Sequence, residues 1–160
     1  MFKRLFGIGP EERSGQAPPA SIDAMQDDVI RRIVADSADL HDGEWDDREW
    51  AYIAVNHELL LDGGARSSTQ AVVLAQKPGG ALEHLSFRLD AATKQALFTL
   101  HEAMAQAGHD PWSVADITVE RNGGYAFTFA YGKPPRIGGD LLHRPLNGLL
   151  QRYKAERGLE

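Results

Sequence analysis

Hydrophobic and polar positions along this chain recur with two different periods, and the switches between them divide it into elements. Met25, Val29, Ile30, Ile33 and Val34 repeat at the spacing of one helical face, with Leu40 at the end of the stripe. Asp23 is the expected N-cap, with Gln26 three positions on, and the helix is expected to close near His41 to Gly43. From Glu49 the period falls to two, and Trp50, Tyr52 and Ala54 alternate with Ala51, Ile53 and Val55. Asp62-Gly63-Gly64 then marks a turn, Ser68 to Gln76 a second strand, Lys77 to Gly80 another turn, and Leu82 to Leu89 a third strand. A second helix starts at the Asp90 cap, carries Leu97, Leu100 and Met104 on its apolar stripe, and stops at Gly108. After an irregular loop, Pro145 is expected in the first turn of a last helix with Leu146, Leu149, Leu150 and Tyr153 on one side and Gly158 at its end. Residues 1–20, rich in glycine and proline, read as a flexible arm ahead of one domain over 21–160.

The stretch from Trp112 to Tyr131 reads as a hairpin whose second strand places Tyr125, Phe127, Phe129 and Tyr131 on one face. Such a face needs cover, and the second helix is the expected supplier. A two-residue loop at Asn122-Gly123 would set those rings opposite Asp116, Thr118 and Glu120. A three-residue loop, Asn122-Gly123-Gly124, instead pairs Val119 with Phe127 and Ile117 with Phe129, with Gly124 in the left-handed position. The element order is then α-β-β-β-α-β-β-α. Clustered strands joined by short turns predict an antiparallel sheet of about five strands packed against helices, in the α+β class.

The chain has 160 residues, enough to bury a core without staples, and no cysteine, which excludes disulfides and thiol chemistry. No apolar run reaches the roughly 20 residues of a membrane-spanning helix, and the apolar residues after Lys3-Arg4 are too few for a secretion signal. A cytoplasmic protein without a membrane partner is the expectation. The net charge is −6, unevenly spread: residues 21–61 balance at −8 and residues 132–160 at +3. That argues against nucleic acid, whose affinity comes from basic side chains, and suits a basic protein partner or simple solubility.

Candidate chemistry thins out quickly. His101-Glu102 opens like a zinc-protease helix, but Ala105 stands where the second histidine must be. Asp42, Glu44 and Asp46 have the alternate spacing of a calcium loop, yet Asp47 replaces its glycine and Ile53 its final glutamate. The glycine pairs serve turns rather than phosphates, and His57, His84 and His143 are scattered. No catalytic residue, metal site or cofactor is therefore assigned. Trp45 and Trp50 flanking the acidic run are better candidates, because tryptophan anchors protein interfaces and carboxylates meet basic partners. Trp45 is equally well read as cover for the first helix, and Trp50 as a core residue. The candidate partner-binding set is Asp42, Glu44, Trp45, Asp46 and Asp47.

Helix, meander from Trp50-Ala51-Tyr52, helix, Trp112, then Ile117, Val119, Asn122-Gly123 and the strand Phe127-Thr128-Phe129-Ala130-Tyr131 resembles the YezG-like immunity proteins of bacteria. The likeness spans roughly residues 23–155 and is one of pattern; Gly132 stands where that family has an aspartate. It implies a cytoplasmic, non-catalytic antitoxin that binds and neutralises a cognate toxin protein, one the acidic charge would suit if it is basic. The competing expectation is a small-molecule-binding or enzymatic α+β domain with a pocket between sheet and helices, marked by several of His57, His84, His101 and His143. A self-associating protein is a third, marked by an exposed apolar face.

Overall fold

The computed structural model describes residues 21–159, so the expected arm over 1–20 lies outside the described residues. The elements are α1 (Ile22–Asp36), β1 (Glu49–Leu60), β2 (Arg66–Gln76), β3 (Glu83–Ser86), α2 (Ala91–Gln106), β4 (Val114–Glu120), β5 (Tyr125–Ala130) and α3 (Leu149–Glu156). The expected order and α+β class hold, and the five antiparallel strands lie in the order β3-β2-β1-β4-β5. β1 is thus the central strand, and it is buried from Ile53 to Leu59.

The two faces of the sheet differ. On one, Ile53, Val55, Ala71, Val73, Ile117 and Val119 meet Val29 and Ile33 of α1 and Leu97, Leu100 and Met104 of α2. Burying five such helix side chains contributes on the order of 10 kcal/mol gross, at ~1.5–3 each, against the conformational entropy of ordering them. On the other face Ala54, Val72 and Leu74 pack against Leu146 and Leu149, with Tyr52, Leu150 and Tyr153 at the margin.

Helix boundaries depart from the sequence expectation at three ends. Ser21 caps α1, its hydroxyl accepting from the Ala24 amide at 3.0 Å, while Asp23 sits in the first turn where a carboxylate favours the helix dipole. α1 stops at Asp36 rather than near His41 to Gly43. Asp36 turns inward, accepting from the Asp90 amide at 3.1 Å and the Thr93 hydroxyl at 2.6 Å, so the end of α1 is tied to the start of α2. Leu40 has left the helix and bridges Phe87 in the sheet. Asp90 caps α2 as expected, accepting from the Thr93 amide at 2.8 Å. α3 begins at Leu149, not at Pro145, because Pro145 to Gly148 form a turn that ends with Gly148 at φ +78°.

The β4–β5 hairpin corrects the expected register. The loop does hold three residues, but they are Arg121-Asn122-Gly123. Glu120 exchanges backbone hydrogen bonds with its neighbours across the turn, to Gly124 (2.7 Å) and from Gly123 (3.0 Å). Val119 therefore pairs with Tyr125 and Ile117 with Phe127, two residues away from the expected register, and Gly123 rather than Gly124 is left-handed at φ +98°. The Asn122 side chain accepts from the Gly124 amide at 2.9 Å, which selects this turn. A slip of two keeps every side chain on its face, so apolar matching could not separate the two registers.

The aromatic face is not buried under α2. β5 is an edge strand, Phe127 and Phe129 are half-buried, and Tyr125 and Tyr131 are 37% and 57% exposed. The helices cover the strands beside β1 instead. What shields the edge is Trp112, wholly buried ahead of β4 and stacked on Phe129 at 5.4 Å between centroids.

Candidate partner-binding surface

The segment between α1 and β1 carries the candidate set, and it is pinned at both ends. Near its start the His41 amide donates to the Ser86 carbonyl (3.0 Å) and the Arg88 amide to the Asp39 carbonyl (3.0 Å), extending the β3 side of the sheet. The Arg88 guanidinium also donates to the His41 carbonyl at 2.9 Å. Near its end Arg48 acts as a clamp. Its guanidinium donates to the Glu44 and Trp45 carbonyls at 2.7 and 3.0 Å and bidentately to the Glu83 carboxylate at 3.1 and 3.3 Å. The Arg48 hydrogen bond holds the Glu83 carboxyl below its usual range.

Between these anchors Asp46 and Asp47 adopt φ of +54° and +57°, the left-handed conformation that aspartate tolerates better than most residues. Asp42, Glu44, Asp46 and Asp47 are exposed, and Trp45 is half-buried against the core. Asp46 lies 3.7 Å from the Lys77 ammonium, an exposed pair; among the described residues Asp42, Glu44 and Asp47 have no ion-pair partner. Asp42 borders a polar groove with His41, His84, Arg88 and Arg144, where the field is cationic. The acidic surface proper is therefore Glu44, Asp46 and Asp47 around Trp45. Trp50 is half-buried with the Arg121 guanidinium 5.1 Å over its ring and donating to its carbonyl at 3.1 Å, so it serves the end of β1.

The four histidines named as markers of a pocket do not converge. His57 is buried on the helix side of the sheet, its Nδ1 2.8 Å from the Thr69 hydroxyl. Burial, then the nearby Lys94 and Arg136, push its pKa down to about 4, so the ring is neutral at pH 7. It lines an open cleft of about 300 Å³ with Leu59, Arg66, Lys94 and Phe98. His84 is half-buried in the groove beside Asp42, where burial and then Arg152 lower its pKa. His101 is edge-on to Trp112 at 4.9 Å, and His143 offers its carbonyl to Arg136. Among the described residues no group of three or more histidines and carboxylates is placed to share a metal ion, and no helix is long and apolar enough to cross a membrane.

Sequence reasoning missed a buried polar cluster on the opposite face. Glu58 is wholly buried in the central strand, accepting from the Arg136 and Ile137 amides at 3.0 and 2.9 Å, with the Arg136 guanidinium 3.6 Å away. Arg136 also donates to the Ser68 hydroxyl (2.8 Å) and to the carbonyls of Ser68 (3.0 Å), Asn56 (3.2 Å) and His143 (3.2 Å). Asn56 in turn donates to Asp116 at 2.7 Å. Burial pulls the Arg136 pKa down while Glu58 opposes that shift. The signal was present in Asn56 and Glu58, two polar residues on one face of a strand whose other residues on that face from Tyr52 to Leu60 are Tyr52, Ala54 and Leu60. Their partner, far along the chain, was not legible. The Glu58 carboxylate and the Arg136 guanidinium are thus engaged in docking the segment 133–148 onto the sheet, an anchoring role, while the Asn56 side-chain oxygen is buried without a partner among the described residues.

No family model and no curated protein matches this chain.

Proposed function

We propose that this chain works by contact with a protein, as a non-catalytic antitoxin of the immunity type that binds a basic toxin in the cytoplasm. The observation that carries this reading is the clamped acidic surface. Glu44, Asp46 and Asp47 project around Trp45 from a loop fixed by Arg48 and Arg88, so little ordering entropy is lost when a partner arrives. The balance of −8 over residues 21–61 adds a long-range field that would speed encounter with a basic protein. The YezG-like pattern points the same way.

The test is capture of the partner from the native host, followed by binding at rising salt. Neutralising the surface with Glu44→Gln, Asp46→Asn and Asp47→Asn is expected to slow association and flatten its salt dependence, because exposed charges act across a Debye length of ~8–10 Å. Trp45→Ala is expected to cost about 2 kcal/mol or more of binding, as an interface anchor does. Affinity indifferent to salt and to all four changes would end this reading. A second reading, a small molecule held between sheet and α2, has the His57 cleft in its favour, and a ligand that raises Tm in wild type but not in His57→Gln would support it.

A further inference from the structure

The open edge of the sheet has a feature independent of the acidic surface. Tyr125-Ala126-Phe127-Thr128-Phe129-Ala130-Tyr131 reads the same in both directions about Thr128. An antiparallel pair related by a two-fold axis sets each strand against its own reverse, so a palindromic strand meets identical residue types. Tyr125 would face Tyr131 of the second copy, Phe127 would face Phe129, Ala126 would face Ala130, and Thr128 would face itself.

The backbone has the matching phase. Ala126 pairs with Thr118 and Thr128 with Asp116, in step with the Glu120 amide's bond to the Gly124 carbonyl (2.7 Å). The Ser113 amide likewise donates to the Ala130 carbonyl at 2.9 Å. Even-numbered residues of β5 thus turn their N–H and C=O groups toward β4, and odd-numbered ones turn theirs to the open edge. Pairing centred on Thr128 joins Phe127 to Phe129 of the second copy and Tyr125 to Tyr131, all odd-numbered. Each such pair exchanges two hydrogen bonds. Centring on a neighbouring residue keeps the phase, since odd-numbered residues still meet odd-numbered ones, but loses the residue match; centring between two residues loses both.

Among the described residues the edge also lacks the usual guards. From Tyr125 to Tyr131 there is no charge and no proline, the ladder from Tyr125 to Ala130 has no bulge, and Tyr125 together with Tyr131, one residue past the strand, are its exposed rings. The other end of the sheet is protected: β3 has four residues, including Glu83 and His84, and beyond it Arg136 binds the carbonyl of Ser68 on β2. Trp112, Phe129, Phe127 and Tyr125 already form a ring ladder with centroid spacings of 5.4, 5.9 and 5.9 Å. We propose that β5 pairs with β5 of a second copy about an axis at Thr128, giving a ten-stranded sheet through two chains and continuing that ladder across the axis.

The test uses the full chain, which has no cysteine. Equilibrium sedimentation of the wild type across the micromolar range is expected to give twice the 17.6 kDa chain mass. Thr128→Cys places the only two thiols of the dimer opposite one another at roughly 4.5 Å between Cα atoms, within disulfide reach. It is expected to give covalent dimer under mild oxidation. Ala126→Cys, equally exposed, is expected not to cross-link alone but to do so when mixed with Ala130→Cys. Thr128→Lys is expected to lose the dimer at concentrations where the wild type keeps it, and mixing it with Thr128→Glu is expected to restore a heterodimer. A single-chain mass throughout the range overturns the proposal, whether or not some other strand can occupy the edge. So does a dimer in which Thr128→Cys and Ala126→Cys cross-link alike.

Discussion

The two faces of this sheet are closed by different physics. Against α1 and α2 the contact is apolar throughout its centre, from Ile53 and Val73 to Leu97 and Leu100. On the opposite face the apolar contact is smaller, Ala54, Val72 and Leu74 meeting Leu146 and Leu149 with Tyr52, Leu150 and Tyr153 at the margin, and beside it the closure is polar, centred on Glu58 and Arg136. Apolar burial accumulates with area and tolerates the loss of one member. A buried ion pair concentrates its effect, since removing one partner leaves the other charged, desolvated and alone. The face with less apolar contact is therefore expected to be more fragile to single changes.

Four measurements sharpen that contrast. Arg136→Met is expected to lower stability by about 3–5 kcal/mol in denaturant unfolding by stranding the Glu58 carboxylate. Adding Glu58→Gln to it should recover part of that loss, which a purely volumetric effect would not. Leu97→Ala, wholly buried on the helix side, is expected to cost about 3 kcal/mol, with no such rescue by a second change. Its cost exceeding that of Arg136→Met would reverse the comparison.

The third measurement is a pH titration of stability. His57 has a folded pKa near 4 against about 6.5 when unfolded. The unfolded chain then binds more protons between those values, so stability is full above pH 6.5 and falls as pH drops toward 4. Between pH 7 and pH 5 the loss from His57 is expected to be about 2 kcal/mol; His84 and His101, whose pKa values burial also lowers, act in the same window, and His57→Gln should remove the largest share of the slope. The lowered carboxyl pKa values of Asp28, Glu83 and Asp90 act below their unfolded values near 4, outside this window. The smallest effect is at the caps: Ser21→Ala and Asp90→Ala are each expected to cost about 1 kcal/mol, read from Tm.

Much of the fold was legible along the chain, and the reason is local. Helical stripes, alternation and glycine turns are written within windows of a dozen residues, so element order, α+β class and the Asp90 cap followed from sequence alone. Cap and register details fell between near-equal local choices, Ser21 against Asp23 and loops of three residues displaced by one. The acidic run was readable as a candidate surface because its members are contiguous; that Arg48 would clamp it to Glu83 was not.

What tertiary structure alone decided is lateral position. A strand alternating aromatic and small residues reads the same at the centre of a sheet as at its rim, and only non-local pairing put β1 in the middle and β5 outside. Glu58 and Arg136 illustrate the same limit. Each is an ordinary charged residue in its own neighbourhood, and their burial follows from a contact spanning 78 residues of separation. Sequence determined which elements form, because backbone and side-chain periodicity act locally; packing determined which of their faces meet water, because burial depends on every other element at once.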